Sequence, residues 1–454
     1  MSLFGTDGVR GKANEVVTPQ LAYQIGFAAG NHFRQKGGKR AVIGRDTRRS
    51  GSMLGAALAS GFAAAGLDVE TLGVVPTPCV SFAARTFGFD VAAVISASHN
   101  PAYDNGIKLL GADGGKLTTE TEEQIEALID KGVCATGSDI GRITPNNEAE
   151  PAYLDWLRSL HANNLNGLKL AIDCANGAAH KIAPKLFAEL GAELVLHGNH
   201  PDGDNINENC GATDPHVVQS LTHDSGAHLG ISFDGDADRC VFSDELGNLI
   251  NGDKFMAAWA LHQSRSGGLR SSVVVGTVMS NSGFEHALSS HGIRLERTDV
   301  GDRNVAARIK ETGSEIGGEQ SGHIIFSDLT PTGDGLLTAL QMTLLLSNSG
   351  SAASKLEPIF ENWPQLMLNI YVSDKSLINS TVVVDGIQES TERLGAQGRI
   401  LVRPSGTQPM IRVMVEAREY GLRDQIADEL GRLIVQEMKG EIRGRVDLTH
   451  ALGD

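Results

Sequence analysis

One unit recurs three times along this chain of 454 residues, and it constrains the fold more than any other feature. "KRAVIGRDTR" is a short apolar strand, followed by a helix-like segment that ends in "GFAAAGLDVETLG". "GLKLAIDCANG" is another, followed by "IAPKLFAELGAELVLHG", and "SSVVVGTVMS" a third, followed by "FEHALSSHGIRLERTD". Each copy reads strand, loop, helix, glycine, strand, with Gly66, Gly191 and Gly292 where a helix C-cap is expected. Runs of Val and Ile alternating with helices are the pattern of parallel sheets covered on both faces. The copies stand too far apart to be turns of a solenoid, so each is a domain.

The C-terminal part departs from this pattern. After "ENWPQLMLNIYV" the order reads helix, strand, strand, helix. "RILVRPSGTQPMIRVMVEA" is two strands around a Ser-Gly-Thr-Gln-Pro turn, and "LRDQIADELGRLIVQEM" is an amphipathic helix. The expected fold is three similar doubly wound α/β domains, at 1–154, 155–254 and 255–367, plus a smaller C-terminal α+β domain at 368–454. The final "KGEIRGRVDLTHALGD" has no clear period and stays unassigned.

The chain is 41% hydrophobic and 21% charged, ordinary for a globular protein. A net charge of −16 argues against nucleic acid or an anionic membrane as the main partner, yet leaves room for a phosphorylated ligand held by a few focused arginines. Cys79, Cys134, Cys174, Cys210 and Cys240 are odd in number and never spaced as CxxC, which suits a reducing compartment. "MSLFGTDGVRG" lacks the basic-then-apolar order of a signal peptide, and no run is long and apolar enough to span a bilayer. The expected location is the cytoplasm.

Two loops carry the first chemistry. "HLGISF" is a strand that delivers "DGDADR". Side chains two apart in extended chain point the same way, so Asp234, Asp236 and Asp238 should converge. Carboxylates that close repel unless a cation joins them, and oxygen-only ligands suit Mg²⁺ or Ca²⁺. Glu245 falls at the twelfth position of an EF-hand, but Arg239 stands where that loop needs glycine. A solvated acidic turn is the bland alternative. In "DVAAVISASHNPAYDNGIK" an apolar strand runs into Ser96, Ser98, His99 and Asn100, with Lys108 beyond. Serine attacks poorly unless activated or unless it carries a transferable group, and a polar turn reads equally well.

Two further loops suit a phosphorylated sugar. "RPSGTQP" sets Arg403 beside Ser405, Gly406 and Thr407, with Arg412 close by. Backbone N–H groups in such a turn form an anion nest and arginine adds a bidentate charge, though a plain hairpin turn reads the same. Arg10 in "FGTDGVRG" and Arg45 in "GRDTR" are weaker cationic candidates. "GEQSGH" crowds Glu319, Gln320, Ser321 and His323 between glycines, a polar set matched to sugar hydroxyls, with His323 either an acid/base or structural.

These four loops, in this order, resemble the α-D-phosphohexomutase superfamily, whose pattern is a Ser-His-Asn-Pro phosphoserine loop, DGDxDR, GExSGH and RxSGTxP. "FGTDGVRG", "NINENCGATDP", "VGTVMSN" and "VGDR" look most like its bacterial members acting on amino-sugar phosphates. The resemblance covers nearly the whole chain. It implies four domains around a central cleft, and an isomerase that exchanges the 6- and 1-phosphates of a hexosamine, supplying UDP-N-acetylglucosamine and cell-wall synthesis. It implies that Ser98 carries the phosphoryl group, that Asp234, Asp236, Asp238 and phosphorylated Ser98 bind one Mg²⁺, and that a hexosamine 1,6-bisphosphate is the intermediate. Arg10, Lys108 and Arg239 would surround the transferring phosphate, with Lys108 or His323 moving protons. Glu319 and Ser321 would hold the sugar; Arg403, Ser405, Gly406, Thr407 and Arg412 would hold the distal phosphate. Gln320 favours an amino group at carbon 2. A homodimer is the expected assembly. Gln408 stands where the superfamily usually has Glu, and Asn304 where an aromatic is common, two departures that concern the ligand surroundings rather than phosphoryl transfer. Mannose or glucose phosphate is the near alternative; a non-catalytic sugar-phosphate sensor and a calcium-binding module are the distant ones.

Overall fold

The structure, a computed structural model, describes residues 3–5, 7–132, 139–161, 164–358, 360–405, 408–450 and 452. It divides into two compact units, Met1–Thr277 with Thr298–Glu357, and Val278–Arg297 with Pro358–Asp454.

In the first unit, strands β1 (Val9–Lys12), β2 (Arg40–Arg45), β3 (Asp68–Val74), β4 (Val91–Ile95), β5 (Asp104–Gly111) and β6 (Ile143–Pro145) form a sheet in the order β1-β5-β4-β2-β3-β6. A second sheet holds β7 (Lys169–Asp173), β8 (Glu193–His197), β9 (Leu229–Phe233), β10 (Cys240–Asp244) and β11 (Leu249–Ile250), in the order β11-β10-β9-β7-β8. Then come β12 (Val273–Thr277), β14 (Ile316–Gly318) and β15 (Ile324–Phe326), with β12 parallel to β14, whereas β13 (Arg294–Thr298) belongs mainly to the second unit's Val278–Arg297 segment. Every residue of β4 and β9 is buried, as expected of strands covered on both faces. Ala41, Ile43, Val91 and Ile95 lie in one core cluster with residues of helices Pro19–Gln35 and Ser50–Ala64.

The sheets are mixed rather than parallel throughout. β4 and β5, β9 and β10, and β14 and β15 are antiparallel pairs. A short loop can join neighbouring strands only in antiparallel fashion, because a parallel return needs a crossover. The segments 96–103, 234–239 and 319–323 are those short loops, each at the carboxyl end of its first strand. Three of the four chemical motifs therefore sit at hairpin tips on a strand's carboxyl edge, where open α/β sheets bind ligands.

The second unit holds an antiparallel sheet of β16 (Gln365–Tyr371), β17 (Gly398–Pro404), β18 (Met410–Ala417) and β19 (Glu441–Asp447), in the order β17-β18-β16-β19. Helices Thr381–Leu394 and Tyr420–Glu437 cover it through Val383, Ile426, Leu430 and Ile434. The unassigned tail supplies β19, whose residues are mostly exposed. An edge strand open to water on one face has no apolar period to read. The expected divisions at 154/155 and 254/255 fall inside helices Ala149–Ser159 and Gly252–Ser266, and that at 367/368 falls inside β16. Nothing in composition marks a domain end where a helix or strand continues across it.

Candidate active site

Ser98 stands at the tip of the β4–β5 loop with φ +50°, a left-handed backbone rare for serine. It is buried, and its Oγ donates to Asp234 Oδ2 at 2.5 Å. The motifs Ser-His-Asn-Pro and DGDADR thus meet, although 136 residues separate the two partners. Gly235 permits this approach: a Cβ there would lie 2.5 Å from the Ser98 carbonyl oxygen.

Asp234, Asp236 and Asp238 each offer an oxygen, all within 4.8 Å of one another. The route differs from the strand alternation expected from sequence. β9 stops at Phe233, and the three aspartates lie in a turn where Ala237 N–H donates to Asp234 O and Ala237 takes φ +56°. Convergence comes from the turn. Thr77 fixes Asp236, its N–H donating to the backbone carbonyl at 2.9 Å and its Oγ1 to Oδ2 at 2.7 Å. Asp236 Oδ1 is buried without a hydrogen-bond partner. A buried carboxylate oxygen left open in an all-oxygen cluster fits a hard divalent cation. Glu245 takes no part, since its carboxylate accepts from Ser354.

Lys108, on β5, is buried with Nζ 3.2 Å from both Asp236 Oδ2 and Asp238 Oδ2. Burial works against its charge, but Asp236 and Asp238 outweigh burial and hold its pKa above the ordinary value. Asp234 goes the other way: burial, then Asp238 and Asp236, push its carboxyl well above the usual range. Burial also disfavours the Asp238 charge, yet Lys108 and His323 bring its pKa well below the usual range. Three carboxylates that share one space cannot all ionise without compensation, so their pKa values split.

His323 follows the GEQSGH loop. The N–H of Gly333 donates to its Nε2 at 3.1 Å, which assigns the ring proton to Nδ1, 3.6 Å from Asp238 Oδ1. Asp302 Oδ2 lies 3.7 Å from Nε2. Burial opposes the imidazolium, and Asp238 and Asp302 more than offset it. Arg10, half-buried on β1, has an Nε with no hydrogen-bond partner, while its guanidinium pairs with Asp7. Arg239 lies in the DGDADR turn, its N–H donating to Asp234 Oδ1. Glu319 accepts from Gly301 N–H at 2.9 Å, tying the sugar-type loop to "VGDR", and Ser321 is buried beside it in sequence. Gln320 does not join them as expected: it is buried and its amide donates to Asp253 at 3.0 Å.

The remaining motif lies in the second unit. Arg403 and Arg412 face each other directly across β17 and β18. Ser405 Oγ accepts from Gln408 N–H, and Lys375 Nζ donates to the Ser405 carbonyl. Gly406 and Thr407 lie outside the described residues.

Sequence reasoning assigned no role to Asp7, Lys116, Asp302 or Thr77. Asp7 pairs with Arg10, Lys108 and Lys116, and Lys116 also pairs with Asp302 at 2.7 Å. "FGTDGVRG" and "VGDR" held the signal, but neither spacing reveals a partner more than a hundred residues away.

Descriptions of the phosphoglucomutase/phosphomannomutase family match in four parts: α/β/α domain I at residues 1–134, domain II at 151–247, domain III at 251–363 and the C-terminal domain at 367–433. A phosphoglucosamine mutase of Brucella anthropi is 46% identical over 441 residues, covering 96% of this chain and 98% of that protein. One of Desulforamulus reducens is 45% identical over 438 residues, covering 95% and 99%. Among solved structures, a phosphoglucomutase/phosphomannomutase family protein of Burkholderia thailandensis superposes with a TM-score of 0.82 at 26% identity, covering 96% of this chain and 97% of its own. The fold is shared more widely, with an Aspergillus fumigatus N-acetylphosphoglucosamine mutase, solved with GlcNAc-6P and magnesium, at a TM-score of 0.71 and 17% identity, covering 96% of each chain. With four family domains in order and relatives nearly half identical from end to end, this chain belongs to the phosphoglucosamine mutases of the α-D-phosphohexomutase superfamily.

Proposed function

We propose that this isomerase interconverts glucosamine 6-phosphate and glucosamine 1-phosphate through phosphorylated Ser98 and a bound hexosamine 1,6-bisphosphate. One observation carries the reading: a buried serine hydroxyl 2.5 Å from a buried aspartate cluster, flanked by the buried cation Lys108. Asp234, Asp236, Asp238 and phosphorylated Ser98 would hold Mg²⁺, which neutralises charge on the phosphoryl group in flight.

The chain's own residues do the rest by positioning and charge. Arg10, Lys108 and Arg239 surround the phosphoryl oxygens. Arg10 has an unpartnered buried donor to give. Lys108 or His323 would move protons to and from the sugar hydroxyl, His323 with Asp238 and Asp302 beside its ring. Lys108 already holds its proton against two carboxylates, which suits it to donate hydrogen bonds to phosphoryl oxygens. Glu319 and Ser321 hold sugar hydroxyls. Arg403, Ser405, Gly406, Thr407 and Arg412 hold the distal phosphate, which must be read whichever end of the bisphosphate it terminates. Burial of Ser98 protects its phosphate from water. The reading includes a cytoplasmic location, where the four described cysteines persist as free thiols, and a homodimer.

A glucose or mannose phosphate is the second reading, because Gln320 is buried, its N–H₂ is held by Asp253 at 3.0 Å, and only Oε1, itself buried, is left to accept from an amino group. Parallel assays on glucosamine, glucose and mannose phosphates decide between them. The phosphate contacts are common to all three and give no selectivity. One hydrogen bond at carbon 2 gives roughly ten- to a hundredfold preference in kcat/KM. Glucosamine phosphate is expected to lead by that margin; a higher kcat/KM for either of the others would replace it.

A further inference from the structure

The loop that carries Ser98 closes around one buried guanidinium. Arg48 and Asp46 are both fully buried, and Arg48 Nε donates to Asp46 Oδ2 at 2.8 Å. Arg48 Nη2 donates to the carbonyls of Ser98 at 2.8 Å and Asn100 at 2.7 Å. Its Nη1 donates to the carbonyl of Asp104 at 3.0 Å and to that of Pro101. Asn207, from the loop that follows β8, donates to the same Ser98 and Asn100 carbonyls at 2.9 and 3.1 Å.

Asp46 completes the circuit on the other side of Ser98. Its Oδ2 accepts from Ser96 Oγ at 2.6 Å, and Ser96 Oγ accepts from the Ser98 N–H at 2.8 Å. Its Oδ1 accepts from the Arg48 N–H at 2.9 Å. One buried ion pair therefore holds Ser98 at both its N–H and its C=O. The held conformation is left-handed, which is unfavourable for a non-glycine residue and persists only where the surroundings over-determine it. A buried ion pair is weak evidence of stability, since desolvation offsets its attraction. Four inward-turned carbonyls are a better reason to keep it.

We propose that Arg48, oriented by Asp46, is a positioning residue that aims the Ser98 hydroxyl at Asp234. The proposal rests on the reading of Ser98 as phosphoryl carrier. "GRDTR" drew attention to Arg45 as a phosphate contact, but the structure makes Arg48 the buried arginine of that loop and turns it onto backbone. Lysine at this position keeps a charge for Asp46 yet lacks the planar fork that reaches four carbonyls.

Arg48→Lys is tested on the full chain, with Ser96→Ala as the milder variant that cuts only the N–H side. In both, kcat is expected to fall, by about a hundredfold in Arg48→Lys, the scale of a 1 Å misplacement, while KM stays within about threefold. Hydrogen exchange is expected to quicken at the amides of 97–104 and nowhere else in the unit. Should Arg48→Lys fail to fold, the Ser96→Ala result decides alone. An unchanged kcat, or a kcat that falls only with the folded fraction while exchange quickens everywhere, overturns the proposal. Ser98→Ala runs beside them. Activity surviving in Ser98→Ala removes the phosphoserine reading, whereas loop exchange still reports whether the clamp exists.

Discussion

Arg403 and Arg412 stand opposite each other on an antiparallel pair, and Arg412 Nε is buried without a hydrogen-bond partner. Like charges directly opposed are destabilising unless an anion lies between them. On the reading that this pair faces the distal phosphate, replacing Arg403 by alanine should weaken ligand binding. A charge-assisted contact to phosphate is worth roughly 1.5–3 kcal/mol, or about ten- to a hundredfold. The expected outcome is a KM for the sugar phosphate raised by that factor in a protein that remains folded. Steady-state kinetics and a thermal melt check it; an unchanged KM would reduce the loop to a turn. The sequence singles out this arginine because its motif is local. Arg48 is not singled out, because its value lies in four carbonyls that only folding brings to it. The three aspartates were readable as a set, although the turn at Ala237, and not strand alternation, gathers them.

At the scale of elements, the hairpin tips explain why the recurring unit stops short of the site. Sequence periodicity finds β4, β9 and their helices, since buried strands and amphipathic faces write themselves in apolar residues. Whether the next strand returns antiparallel depends on loop length and edge position, which carry no such signature. Helix Gly335–Ser349 shows a second device. Asp334 caps it, Oδ1 accepting from Leu337 N–H at 2.9 Å, and both its oxygens accept from Tyr153 Oη at 2.8 Å. Burial raises this carboxyl to about 6, against the hydrogen bonds from Leu337 and Tyr153 that pull it down. The unfolded chain releases this proton near pH 4, so between pH 4 and 6 the folded state binds more protons. Stability from this group is present below pH 4 and is lost as pH rises through 6. The shift corresponds to about 3 kcal/mol. In Asp334→Asn that pH dependence should vanish. The stability difference, variant minus wild type, should move in the variant's favour by about 3 kcal/mol from pH 4 to pH 7. Denaturant titrations at both pH values measure it, and a constant difference would show that Asp334 does not titrate there.

Across the whole chain, the order of domains was legible because four motifs occur in sequence and each brings its own strand and helix. Their limits were not, since helices and a strand run through the divisions. What no single domain reveals is that the first unit gathers half-buried Asp7, Lys116 and Asp302 and buried Lys108, Asp236, Asp238 and His323 into one network of both signs. Such a network is balanced only in part: Asp234 is pushed toward its neutral form, and Asp236 Oδ1 has no hydrogen-bond partner. A divalent cation that binds the folded state alone would complete it and stabilise the unit by RT ln(1 + [L]/Kd), about 2.7 kcal/mol at a hundredfold excess over Kd. For a unit of this size, at about 2.1 cal/mol/K of unfolding entropy per residue, that raises Tm by roughly 4 °C. Mg²⁺ added to chelator-treated protein should therefore raise Tm, with no substrate present. Asp236→Ala removes a ligand and, with it, a partner of Lys108 and Thr77, so its metal-free Tm should not exceed that of the wild type, and the response to Mg²⁺ should disappear. Scanning calorimetry on both proteins, with and without Mg²⁺, reads the two effects independently of turnover. A wild-type Tm indifferent to Mg²⁺, or an Asp236→Ala protein that still responds fully, would leave Lys108 and His323 among the counter-charges of the cluster and remove the metal from it.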